Sequence, residues 1–199
     1  MHDLLTSLSI IVASGTAIWG IVQWRRQMIV ERKMNLAEDV LSVFYEAKDV
    51  FGAARSPASF GSEGQSFFGK KRKEFSQETV RRASAYYAPA ERLYREKEFF
   101  SKLQSLKYRF SAVFGEQARE PFDTIIRTRA EVISASEMLA QSEIDRVPGN
   151  PALDRDTNRQ FEREIWSRGE DDDISRDIAR AVDAIRDICE PVLTHWLKI

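Results

Sequence analysis

Apolar positions along this chain recur at steps of three and four. No stretch alternates with a period of two for long enough to make a strand, so the pattern predicts an all-α protein. The first apolar run differs from the rest. Leu4 to Trp24, LLTSLSIIVASGTAIWGIVQW, is 21 residues without a charge. At ~1.5 Å of rise per residue it is ~31 Å long, close to a hydrocarbon core of about 30 Å. Its polar residues are scattered rather than gathered in a stripe, which argues against a buried helix of a soluble bundle. A cleaved secretory leader would carry its positive charges before the apolar run; here they follow it. The run is therefore expected to be a single membrane-spanning helix (residues 1–24 with the short tail). Ser9, Ala13 and Ala17 are spaced by four, as are Thr16 and Gly20. Small residues at that spacing let two membrane helices approach closely.

Nothing ends the helix at the membrane surface, because no Gly or Pro occurs from Ile21 to Phe51. Ala37, Val40, Phe44, Ala47, Phe51 and Ala54 form one apolar seam along it. The seam either packs against the rest of the chain or continues a membrane dimer as a parallel coiled coil. It is short and contains alanine, which favours the first. A rod over residues 21–51 would reach about 46 Å.

Residues 55–75, RSPASFGSEGQSFFGKKRKEF, break the pattern with Pro57, Gly61, Gly64 and Gly69. Loops this long tend to be functional. Phe60, Phe67, Phe68 and Phe75 call for something to bury against. The stretch Ala53–Gly64 reads as a feature with a specific job, though no known site matches it. A second helix opens near Ser76, and Pro89 is expected to bend or split it. The run Ala90 to Phe114 places Phe99, Leu103, Leu106, Phe110 and Val113 on one face, with Gly115 as its stop. Glu116 to Ala140 follows, with Pro121 where proline is tolerated. A second loop spans 142–157. A short helix is expected at Asn158–Arg168, ended by Gly169. The last helix opens on Asp171, Asp172 and Asp173, acids at a positive helix end. Its apolar face is Ile174, Ile178, Ala181, Ile185, Ile188, Val192 and Trp196, and Asp173/Arg176, Asp177/Arg180 and Asp183/Arg186 can pair at i,i+3. Together these make a helical domain over 25–199, an antiparallel bundle of about four or five helices.

Charge decides orientation and partners. Asp3 is the one acid before Arg25, so the rest of the chain balances 30 basic against 30 acidic residues. With no basic field, no nucleic-acid partner is expected. Arg25, Arg26, Arg32 and Lys33 follow the apolar run. The positive-inside rule then puts the N-terminus outside and the domain on the cytoplasmic face of an inner or plasma membrane. Trp24 sits at interfacial depth.

Candidate chemistry is thin. Gly64 to Lys71 nearly matches a phosphate-binding P-loop, but Lys71 stands where Ser or Thr should hold magnesium, and a helix precedes it. Lys70, Lys71, Arg72 and Lys73 form a basic cluster that, with Phe60, Phe67 and Phe68, is a candidate partner or lipid contact. Glu170 to Asp173 suggests a cation site, yet consecutive acids at a helix start usually compensate its dipole. The two histidines, His2 and His195, lie at opposite ends, so no metal is expected. The single cysteine, Cys189, falls on the apolar side of the last helix, as a structural thiol would. Tyr86, Tyr87, Tyr94 and Tyr108 follow helical spacing and fit core or interface.

These features lead to an expectation of a membrane-anchored, non-catalytic interaction or assembly protein without a cofactor, whose bundle meets a protein partner or a second copy. The alternative is a membrane-bound sensor or effector whose bundle responds to a small ligand or stress signal. It requires a pocket lined by polar residues of the 55–75 segment.

Overall fold

The computed structural model describes residues 2–58, 61–146, 153–167 and 172–194, with side chains from residue 15 onward. Among these it is all helical: α1 (His2–Ala54), α2 (Gln77–Arg95), α3 (Lys97–Phe114), α4 (Glu120–Ile144), α5 (Arg155–Ile165) and α6 (Asp173–Thr194). Short 3-10 helices at Gln65–Glu74 and Glu116–Arg119 lead into α2 and α4.

Local chemistry sets most of these boundaries. The Ser76 hydroxyl accepts the Thr79 N–H at 3.1 Å and caps α2. The Asp154 carboxylate accepts the Asp156 N–H at 2.7 Å and starts α5, three residues before the expected Asn158. Gly115, at φ 97, stops α3 where an L side chain would be strained. Pro121 lies in the first turn of α4, where its missing N–H costs nothing. Pro89 does not split its helix as expected. It is buried inside α2, which runs on to Arg95, and the chain turns at Glu96 instead. The expected i,i+3 pairs all form on α6, Asp177 with Arg180 at 3.1 Å, Asp173 with Arg176, and Asp183 with Arg186.

The helices build two storeys. In the lower one, α1 from Leu36, α3, the first half of α4 and α6 share a single core. Phe44 meets Phe122 edge-on at 4.9 Å, and Phe51 meets Phe100 at 6.2 Å. The upper storey lies past the end of α1. There the first half of α2, the second half of α4, the 65–75 segment and α5 close two smaller cores around Ala83, Ala140, Leu139 and Ile165. Both α4 and α2 run through the two, since Leu93 near the end of α2 belongs to the lower core while Val80 and Ala83 belong to the upper. Contacts of Arg82 with Glu143 and of Arg129 with Tyr94 set α2 antiparallel to α4. Likewise Arg55, beside the end of α1, meets Asp172 at the start of α6, so these two helices are antiparallel.

This arrangement corrects the coiled-coil alternative. Ala37, Val40, Phe44, Ala47 and Phe51 are 0–2% exposed, and the chain's own α3, α4 and α6 cover them. These seam residues are consumed by one bundle and are not left for a second copy.

Before Leu36, α1 leaves the bundle. Ile18, Trp19, Ile21, Val22 and Trp24 are 44–70% exposed. Among the described residues no helix is long and apolar enough to cross a membrane. The side chains of residues 4–14, half of the Leu4–Trp24 run, lie outside the described residues, as do Ser9 and Ala13. The spanning helix thus rests on sequence alone. Thr16, Ala17 and Gly20 are exposed on the projecting rod.

Candidate functional site

The joint between the storeys holds three arginines. Arg55 follows the last seam residue, Ala54, and is only 1% exposed. A guanidinium buried so deeply must have its donors satisfied. Arg55 Nη1 donates to Asp172 Oδ1 at 2.8 Å and lies 3.4 Å from Ser175 Oγ. Nε donates to the Glu164 carbonyl at 2.8 Å, and Nη2 to the Arg163 and Trp166 carbonyls at 3.0 and 3.3 Å. The Ser167 N–H returns a bond to the Arg55 carbonyl at 2.9 Å. One side chain therefore collects the end of α5 and the start of α6 onto the end of α1.

Arg92 of α2 closes the other side. Its guanidinium donates to the carbonyls of Ala53, Ala54, Ser56 and Ala58, at 2.6–3.3 Å, and pairs with Glu63 at 2.5 Å. These carbonyls belong to the negative C-terminal end of α1 or lie just beyond it, where a cation is favoured. Arg129 of α4 lies 4.3 Å over the Phe100 ring and 5.9 Å from that of Tyr94, joining α4 to the α2–α3 corner.

Shifted ionisation follows from these bonds. Burial lowers the Arg55 pKa, and Asp172 restores part of it. Burial opposes the charge on Asp172, but the Ser175 N–H, Arg55 and the Ser175 hydroxyl together hold its carboxyl below the usual range. Burial raises the carboxyl of Glu164. Burial and its bond to Glu162 push Tyr86 up to about 12, and burial pushes the Cys189 thiol up to about 11. None of these groups is an activated nucleophile, and those in the joint are spent on holding helices together. Among the described residues no three His, Cys, Asp or Glu side chains are grouped to hold a metal ion.

Two clefts open above the joint. One, about 870 Å³, lies between α4, α5 and α6, with Glu131, Glu164 and Asp177 facing Arg159 and Arg163. The acids outnumber the arginines along its walls. The other, about 660 Å³, lies between the 61–75 segment and α2. Its floor is Phe75, Val80 and Ala85; its rim includes Gln65, Arg72, Lys73 and Arg81. Gly64 pins this segment down. At φ +75 it presses on the Ser84 carbonyl so closely that a Cβ would collide, and its N–H donates to Glu91 at 2.5 Å.

The basic and aromatic candidates separate here. Lys70, Lys71, Arg72 and Lys73 are exposed, and Arg72 and Lys73 reach the cleft. Phe67 and Phe68 are not free partner contacts. Phe68 is 6% exposed and packs on Phe75, while Phe67 packs on Tyr87 at 4.9 Å. Phe60, Gly169, Glu170, Asp171 and His195 lie outside the described residues. The P-loop likeness fails in space as in sequence, since two short 3-10 turns kinked at Gly69, not a strand-to-helix loop, carry Gln65–Glu74. Arg55, Arg92, Glu63 and Ser84 escaped the sequence reading. Arg55 had one signal: it lies four residues past Phe51, on the seam's own face. Against protein-family models, curated proteins and solved structures, the chain shows no match.

Proposed function

We propose that this chain is a membrane-anchored, non-catalytic assembly protein, tethered through the start of α1 and presenting its two-storey bundle at the cytoplasmic face of a cell membrane. The observation that carries this reading is the row Ile18, Trp19, Ile21, Val22 and Trp24, exposed on a helix that the bundle does not cover. A cluster of large apolar side chains held in water marks a surface awaiting an apolar environment. The run is followed at once by Arg25 and Arg26, which suit anionic headgroups on the cytoplasmic side. The eleven residues from Arg25 to Asn35, most of them exposed, then act as a spacer of about 17 Å between membrane and core. The non-catalytic part draws on Arg55, Asp172 and Arg92, whose polar atoms bind other helices rather than open space.

The test uses the full chain in its host. After an alkaline carbonate wash the protein should stay in the membrane pellet, and release into the supernatant would overturn the anchor. Extracted in mild detergent and weighed by native mass spectrometry, it should carry a second copy or another polypeptide. A bare monomer would overturn assembly.

A second reading has its own observation. The cleft beside α2 is lined by Glu63, Gln65, Arg72 and Lys73, polar residues of the 61–75 segment, as a ligand-responsive bundle requires.

A further inference from the structure

We infer that the cleft between the 61–75 segment and α2 binds a soluble phosphate-bearing small molecule with an apolar body. The inference rests on the ligand-responsive reading and gives its ligand a chemical class.

Charge comes first. The chain as a whole is nearly neutral at −1, yet this cleft gathers Arg72, Lys73 and Arg81. The one acid in its lining, Glu63, is already neutralised by Arg92 at 2.5 Å. Arg81 shares Glu78 at 2.9 Å with Arg82, which leaves that trio of charges positive as a whole. A concave site of one sign raises the local concentration of the opposite ion.

The second observation is independent of charge. Ser84 lines the cleft and is 6% exposed, and its hydroxyl has no hydrogen-bond partner among the described residues. An orphaned buried hydroxyl costs about 1–3 kcal/mol, so it marks a place where a partner group is missing. A phosphate oxygen accepts both from a hydroxyl and from guanidinium and ammonium groups. Phe75, Val80 and Ala85 supply an apolar wall for the rest of the ligand. The wall is preformed, because Gly64 is locked against Ser84 and Phe68 packs against Phe75.

Position chooses the source of the phosphate. The cleft lies in the upper storey, beyond the end of α1, and Trp24 to Ala54 spans about 45 Å of straight helix. A headgroup in the bilayer that holds α1 cannot reach it, so the phosphate comes from solution.

The experiment titrates the full chain, in mild detergent, with 1-naphthyl phosphate by isothermal calorimetry, using 1-naphthol as the uncharged control. Naphthyl phosphate should bind, inorganic phosphate should compete, and naphthol should give no heat. The double variant Arg72→Gln with Lys73→Gln should weaken binding about tenfold or more at an unchanged melting temperature. Ser84→Ala, which removes an orphan and so leaves the fold intact, should weaken it about fivefold. Absence of binding, or equal affinity in the double variant, overturns the site. Binding confined to vesicles containing phosphatidic acid overturns the soluble source. Naphthyl phosphate bound without any change in native mass or in amide exchange beyond the cleft keeps the site and rejects the ligand-responsive reading, so the two fail separately.

Discussion

Arg55 and Asp172 stand 117 positions apart in the chain and meet at 2.8 Å, both nearly sealed from water. Their pairing ties the end of the long helix to the start of the last one. It is a joint in the mechanical sense, since the end of α1, the end of α5 and the start of α6 all meet on it. Removing one partner leaves an uncompensated buried charge, which costs about 3–5 kcal/mol. Asp172→Ala should therefore lower the stability of the full chain by that amount in denaturant titration. Arg55→Met combined with Asp172→Leu should recover much of the loss, because no bare charge remains. Equal damage from the single and double variants would show that the pair does not act as a unit.

The same pair sets an acid limit. Asp172 has its carboxyl pKa held below the ordinary value in the fold. A lowered folded pKa contributes stability that is complete above the unfolded value of about 3.9 and disappears as pH falls through the folded one. Melting temperature should hold from neutral pH down to about 4, then fall steeply. Asp172→Asn should flatten that fall relative to the parent chain. An acid profile unchanged by the substitution would assign the limit to other carboxylates.

How much of this was legible beforehand differs between helices and joint. The helices follow from periodicity, and Ser76, Gly115 and Pro121 marked their ends by chemistry local to each. The two storeys could not be read. Apolar spacing gives a face for Leu93 and for Val80 alike, yet these lie in different cores of one helix. Pro89 misled for the same reason: a proline tolerated by tertiary packing looks like any other breaker. Arg55 and Arg92 were invisible because their partners are mostly backbone carbonyls, which every residue carries. The cleft was half legible. Its Arg72 and Lys73 stood out as a run, whereas Ser84 and Arg81 come from α2 and join them only on folding.

Gly64 offers a sharp test of the upper storey. Its positive φ and its closeness to Ser84 both exclude a side chain. Gly64→Ala should destabilise the fold by about 1–3 kcal/mol from backbone strain, with the collision adding to that. The loss should be local: amide hydrogen exchange should quicken in 61–75 and early α2 while α1, α3 and α6 keep their protection. Uniform exchange throughout would mean that the storeys melt as one body.

Cys189 reports on the lower storey. Its side chain is fully buried, and burial raises its pKa to about 11, so almost no thiolate exists at neutral pH. A maleimide should leave the native chain unmodified and label it fully in denaturant. Because Cys189 shares its core with Ile185 and Phe44, labelling should appear together with the global transition rather than with loss of the upper storey. In Gly64→Ala, then, exchange in 61–75 should quicken while Cys189 stays silent. Labelling of Cys189 at the same rate as that exchange would make the joint at Arg55 a path for unfolding rather than a barrier between the storeys.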